Sequence, residues 1–174
     1  MLPVYVASDD PHRSQFGLVA DQPSAMNAIL SDPMAAMRRE YVTRAVMQRL
    51  HQQHFRRIVL HAYRNQCSIC RLRHVDLLDA AHILGDKHPL GEPIVTNGLG
   101  LCKIHHSAFD AQILGIDPDA TVHIRQDVLL EIDGPMLRHG IQGAHGSRLV
   151  LPRRADWRPN REFLAERFAV FLAA

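Results

Sequence analysis

Cys67-Ser-Ile-Cys70 and Cys102-Lys-Ile-His105 decide how this chain folds. Each is a knuckle in which two donors, separated by two residues, can converge on one tetrahedral ion. Together they use all three cysteines of the 174-residue chain and add one imidazole. The set predicts a Cys3His site for a structural Zn2+. A redox Cys-x-x-Cys is the rival reading, and it leaves Cys102 and His105 without a role. An ion held this way ties together segments separated by the 31 residues 71–101 and replaces part of a core. A plain zinc ribbon has roughly 15–20 residues between its knuckles, so additional structure is built inside this one.

The interval contains Leu78-Asp79-Ala80-Ala81-His82-Ile83, then Asn97-Gly98-Leu99, and closes into His106-Ser107-Ala108-Phe109-Asp110. The ion would bring together a histidine on a strand, an asparagine on a loop and a histidine on a helix. In this order and inside this frame, the sequence resembles the HNH endonuclease family, named for its His…Asn…His order. More narrowly it is similar to the branch found in bacterial restriction-type nucleases, through Asp-Ala-Ala-His-Ile, Asn-Gly-Leu-x-Leu-Cys and His-His-x-x-Phe-Asp. The motifs span residues 67–110, and a looser resemblance runs from about residue 40 to 160. It implies an α+β fold: a ββα-metal core on the Cys3His zinc site, with N-terminal helices and a C-terminal helical extension.

The resemblance also implies roles. His82 matches the first histidine and would be the general base that activates water. Asn97 matches the asparagine that orients the base or its loop, although Asn-Gly is also a simple turn former. His106 matches the last histidine and would hold a catalytic cation, Mg2+ or another divalent ion such as Mn2+ or Ni2+. Adjacent helical residues point about 100° apart, so His105 and His106 can serve two different ions. The pattern departs at Ala81, where many members of the family carry an aspartate. Asp79 shares the strand parity of residue 81 and could reach the ion. Asp110, at i+4 from His106, is the other candidate and ranks slightly behind Asp79.

Charge is strongly segregated behind a formal net charge of +2. Residues 38–73 hold nine Arg against Glu40 alone, whereas residues 74–135 hold three basic against ten acidic residues. The local fields are therefore about +8 and −7, and the first suits a polyanion. Eighteen of the twenty basic residues are Arg, whose planar fork matches phosphate oxygens. Arg56, Arg57, Arg64, Arg71 and Arg73 flank the first knuckle and are expected to grip DNA backbone phosphates; Arg153, Arg154 and Arg158 could extend the track. The reading is of a DNA endonuclease acting on double-stranded DNA, in restriction or DNA defence. The alternatives are a catalytically degenerate zinc-dependent DNA-binding module, which Ala81 supports, and a protein-docking helix pair at residues 33–64.

At 47% hydrophobic and 22% charged, the composition excludes a disordered chain. No apolar run approaches the roughly 18 residues of a membrane span and the start is not leader-like, while three cysteines cannot form a closed disulfide set, so a reducing cytoplasm is expected. Three segments are expected: an extension at 1–32, a helical arm plus nuclease core at 33–125, and an extension at 126–174 packed on the core. Helices are predicted from Asp32-Pro33 to about Leu50, from Phe55 to about Arg64, from Lys103 to about Leu114, and after Asn160. Strands are predicted at 77–83, 94–96, 121–125 and 148–151. His139 and His145 read as surface-loop residues. A homodimer, and a recognition domain or partner protein that reads the target, stay open.

Overall fold

The computed structural model describes residues 4–10, 15–20, 41–42 and 51–174. Two compact units divide the chain, Met1–Gln48 and Arg49–Ala174. In the first, β1 (Val4–Asp10) pairs antiparallel with β2 (Gln15–Ala20), with an irregularity in register between Val6 and Ser8. Residues 41–42 are helical; the rest of the helix predicted from Asp32 to Leu50 lies outside the described residues.

The second unit begins with a helix over residues 51–62. Its apolar positions recur at three and four, so Phe55, Val59, Ala62 and Tyr63 all become buried, with Leu60 beside them. The helix ends where Arg64 and Asn65 both adopt positive φ, and the Asn65 amide donates back to the Leu60 carbonyl at 2.8 Å. Asparagine tolerates this left-handed turn better than most residues, and the turn delivers the chain into Cys67.

Strand β3 (Leu78–His82) pairs antiparallel with β4 (Gly98–Cys102), so that His82 lies opposite Gly98 and Leu78 opposite Cys102. The helix Lys103–Asp110 follows β4 without a break, giving the strand–strand–helix unit that the resemblance implies. A second hairpin, β5 (Leu114–Ile116) with β6 (Val122–Ile124), packs behind it. Short helices at Gln126–Leu130 and Pro135–Gly140 precede the terminal helix Arg161–Leu172, which Asn160 caps by accepting from the amides of Glu162 and Phe163. One cluster of buried residues, from Phe55 through Leu101 and Phe109 to Leu164, unites these pieces.

Three local expectations are corrected. Residues 95–97 form a 3-10 turn rather than a strand, and the pairing strand is the following Gly98–Cys102. The Lys103 helix stops at Asp110, because Gln112 takes φ 56° and the chain turns into β5. Residues 148–151 contribute only an isolated bridge, Thr121 to Arg148.

Gly98 is not a turn glycine; its backbone is extended, at φ −126°. Its missing side chain is what matters. A Cβ there would overlap Val59 Cγ2 and sit 3.0 Å from the Phe55 ring, and one at Gly100 would sit 2.9 Å from Tyr63 Cβ. The first helix of the unit thus lies directly on two bare positions of one strand face. Gly98→Ala and Gly100→Ala are each expected to cost about 1–3 kcal/mol by overpacking. Gly134→Ala, where a Cβ meets nothing within 4 Å, should stay within about 0.5 kcal/mol of wild type. Urea denaturation checks this as a lowered midpoint at unchanged slope for the first two only.

Candidate metal centre and cleft

The two knuckles meet. The donor atoms of Cys67, Cys70, Cys102 and His105 all lie within 4.8 Å of one another. Cys70 Sγ is 3.9 Å from Cys102 Sγ, and His105 Nδ1 is 3.5 Å from Cys67 Sγ and 3.2 Å from Cys102 Sγ. A tetrahedral ion with bonds of about 2.3 Å to sulfur and about 2.0–2.1 Å to nitrogen has edges of roughly 3.5–3.8 Å, so the donors fit it closely. The knuckle is held by its own backbone: Cys67 donates to the Leu72 carbonyl and Arg71 donates to the Cys67 carbonyl, with Arg71 at φ 63°. Ser68 ties the turn to β4 through the Gly100 carbonyl at 2.7 Å.

The imidazole is oriented from outside the ligand set. His105 Nε2 lies 2.9 Å from the Gly140 carbonyl, and a carbonyl can only accept. Nε2 therefore carries a proton and Nδ1 faces the sulfurs, the usual arrangement behind a metal-bound histidine. The protons on this crowded set compete. Hydrogen bonds from Cys102 and Cys70 hold the Cys67 thiol far below its usual range, while contacts with Cys102 and Cys67, together with burial, push Cys70 far above it. Burial opposes charge on His105, but its hydrogen bonds to Cys102 and Cys67 outweigh this and push it up to about 10. Four donors competing for protons are a set that a divalent cation relieves. The cluster can hold a metal ion such as zinc.

A second group of side chains gathers around His106, on the same Lys103–Asp110 helix. His82, Asp86, Lys87, His88, His106, Asp110 and Arg167 line an open cleft of about 640 Å³. His82 ends β3, and its ring stacks on Phe55 at 4.0 Å between centroids and 17° between planes. Its Nε2 is 3.3 Å from Asp86 Oδ1 but out of line for a hydrogen bond, and has no other partner. Burial lowers the His82 pKa below the usual histidine value, against the pull of Asp86. His106 sits between two carboxylates, with Nε2 3.2 Å from Asp110 and Nδ1 3.7 Å from Asp79. The Asp110 carboxylate beside it raises the His106 pKa despite burial, and His106 correspondingly lowers that of Asp110.

The two acidic candidates differ in placement. Asp110 lines the cleft, whereas Asp79 does not and is engaged by Arg56 and Lys103, each at 3.6 Å. Ala81 is fully buried against the core, paired with Leu99. Asn97 is also fully buried and stands apart from the cleft lining. Its side chain donates to the carbonyls of Leu84 and Glu92 and accepts from the Leu84 amide, with all three distances between 2.9 and 3.0 Å. It thereby fixes the loop that leaves His82.

Among the five arginines near the first knuckle, Arg56 donates from one terminal nitrogen to the Val75 and Leu78 carbonyls and sets its Nε beside Asp79. Arg57, Arg64, Arg71 and Arg73 are exposed. Arg154 stacks over Trp157 and pairs with Asp156, while Arg153 and Arg158 are exposed. His139 lies on the helix Pro135–Gly140 rather than in a loop, and His145 accepts from the Ile124 amide at 3.1 Å. Sequence reading missed Arg167, whose only local signal is its place on the terminal helix. Burial lowers its pKa, with Asp110 acting in the opposite sense.

Residues 67–117 match the family model described as HNH endonuclease. This stretch is an HNH domain. It contains both knuckles, the β3–β4 hairpin, the helix bearing His106, and β5. Among solved structures, a "Modification dependent TagI restriction endonuclease" is similar at 21% identity with a TM-score of 0.44; the match covers 66% of this chain and 36% of that one. This chain thus spans little more than a third of that protein. No curated protein matches. Among the described residues, no helix is long and apolar enough to cross a membrane.

Metal analysis is expected to return one tightly held ion per wild-type chain and none for Cys102→Ser. The HNH domain of that variant should lose its tertiary structure, read as lost near-UV dichroism, because folding of the hairpin and binding of the ion are one event. Retention of native dichroism without the ion would separate the two.

Proposed function

We propose that the chain is a metal-dependent DNA endonuclease that hydrolyses phosphodiester bonds, with zinc as the structural ion on Cys67, Cys70, Cys102 and His105. One observation carries this: His82 and the His106–Asp110 pair line a single cleft within an HNH domain. A restriction or defence role fits the motif resemblance, and double-stranded DNA fits the arginine-rich segment.

His82 takes a proton from the attacking water. A pKa below about 6.5 keeps the ring neutral and able to accept at neutral pH. The Asp86 carboxylate, 3.3 Å away, stabilises the imidazolium that forms. Phe55 on one face and the loop pinned by Asn97 fix the direction of the ring. His106 and Asp110 hold the catalytic cation; Mg2+, Mn2+ and Ni2+ all suit a nitrogen–oxygen donor pair. When bound, this cation supplies positive charge to the phosphoryl group and to the leaving oxygen. A cation at this nitrogen would compete with the proton that the neighbouring Asp110 favours on His106. Arg57, Arg64, Arg71 and Arg73 bind backbone phosphates, which position the duplex without reading its sequence. Asp79, committed to Arg56 and Lys103, braces the site instead of entering it.

His82→Ala is expected to abolish plasmid nicking with Mg2+, Mn2+ or Ni2+ while keeping the zinc and the fold. Full activity in that variant would remove His82 from its role. Binding without any cation-dependent cutting in wild type would instead favour the degenerate DNA-binding module. The sign of the pH dependence follows from the lowered pKa of His82. The acid limb of kcat/KM should fall at a pH below about 6.5, with activity present above it. Asp110→Asn should lower cleavage roughly 100-fold and Asp79→Asn by about 10-fold or less, measured at saturating cation. Equal losses would return Asp79 to the ligand set.

A further inference from the structure

Arg167 is not part of any HNH motif in this sequence, yet it forms part of the cleft wall beside His106 and Asp110. Its guanidinium lies 4.8 Å over the Phe109 ring, and one terminal nitrogen donates to the Phe109 carbonyl at 3.1 Å. With the Gln112 amide turned so that its oxygen faces the arginine, that oxygen accepts from both terminal nitrogens, at 2.8 and 3.3 Å. Asp110 Oδ1 is 4.0 Å away, too far for a hydrogen bond, and Nε is buried without a partner. The head group is therefore clamped by Phe109 and Gln112 while its five donors are only partly used. A positive, pre-oriented and half-buried fork on the wall of a cleft is built to meet an anion. Resting on the endonuclease reading, the anion is the DNA phosphate that the cleft would attack.

We propose that Arg167 contacts a non-bridging oxygen of the scissile phosphate, steadying the phosphodiester against His82 and offsetting the negative charge carried by the non-bridging oxygens. It enters the domain from the terminal helix, outside residues 67–117. The terminal helix is then a part of the active site and not merely packing. His88 on the cleft loop lies against Glu166, with Nε2 2.8 Å from Oε1, next to Arg167 on that helix.

The test uses the full chain with a short duplex and three proteins: wild type, Arg167→Ala and Arg167→Lys. Without divalent cation, the logarithm of duplex affinity is measured against the logarithm of salt concentration. Losing one phosphate contact should make the slope shallower by about 0.9 in Arg167→Ala and leave it near wild type in Arg167→Lys. Single-turnover cleavage should fall about 10²–10³-fold in Arg167→Ala, with partial recovery on adding guanidinium ion. A salt slope unchanged in Arg167→Ala overturns the contact, whatever the rate does; a lower rate with that slope would mean that Arg167 acts through Asp110. An unchanged rate overturns it as well. A wild-type protein that binds duplex but never cuts overturns the endonuclease reading itself, and a wild type that cuts while Arg167→Ala cuts equally well overturns only this inference.

Discussion

Convergence of Cys67, Cys70, Cys102 and His105 on one point is the constraint from which the rest of the second unit follows. The segment between the knuckles carries two five-residue strands and a loop, far too little apolar surface to order itself. Clasping its ends shortens the open chain and sets Leu78 opposite Cys102, and that register places His82 opposite Gly98. From this single pairing, the base candidate, the helix that begins at Lys103 and the His106–Asp110 pair acquire fixed relative positions. The clasp and the cleft share a helix: His105 faces the sulfurs, and its neighbour His106 faces the cleft.

The surroundings reinforce the clasp from parts of the chain distant in sequence. The helix over 51–62 lies on the bare glycine face of β4 and presents Phe55 to His82. The carbonyl of Gly140 sets the tautomer of His105, and Val150 donates to the Ser68 carbonyl within the first knuckle. Stability of the metal centre and geometry of the cleft are consequently coupled through packing. A stretch as short as 67–117 is of the size that commonly relies on such a staple, because the hydrophobic gain from its own core barely exceeds the conformational entropy it loses.

What was legible in the sequence was local. The ligand spacing, the strand ending in His82 and the Asn160 cap are each written within a few residues, so pattern sufficed. Strand Gly98–Cys102 was missed because two glycines lower strand propensity; only the helix seated on them explains why they are there. The early stop of the Lys103 helix was hidden because residues 111–114 continue an acceptable helical pattern, whereas Gln112 adopts a left-handed turn. Strand parity and i+4 spacing made Asp79 and Asp110 near equals. Their separation depends on Arg56 and Lys103 engaging one of them, which is side-chain geometry. Arg167 and Gly140 lie tens of residues from the motif, and no periodicity announces a contact over that distance.

X-ray absorption at the edge of the bound metal tests the central constraint most directly. The account predicts three sulfur scatterers at about 2.3 Å and one nitrogen at about 2.0–2.1 Å, with no water in the first shell. A shell of fewer than three sulfurs, or one dominated by oxygen and nitrogen, would contradict the clasp and with it the placement of every residue that depends on it.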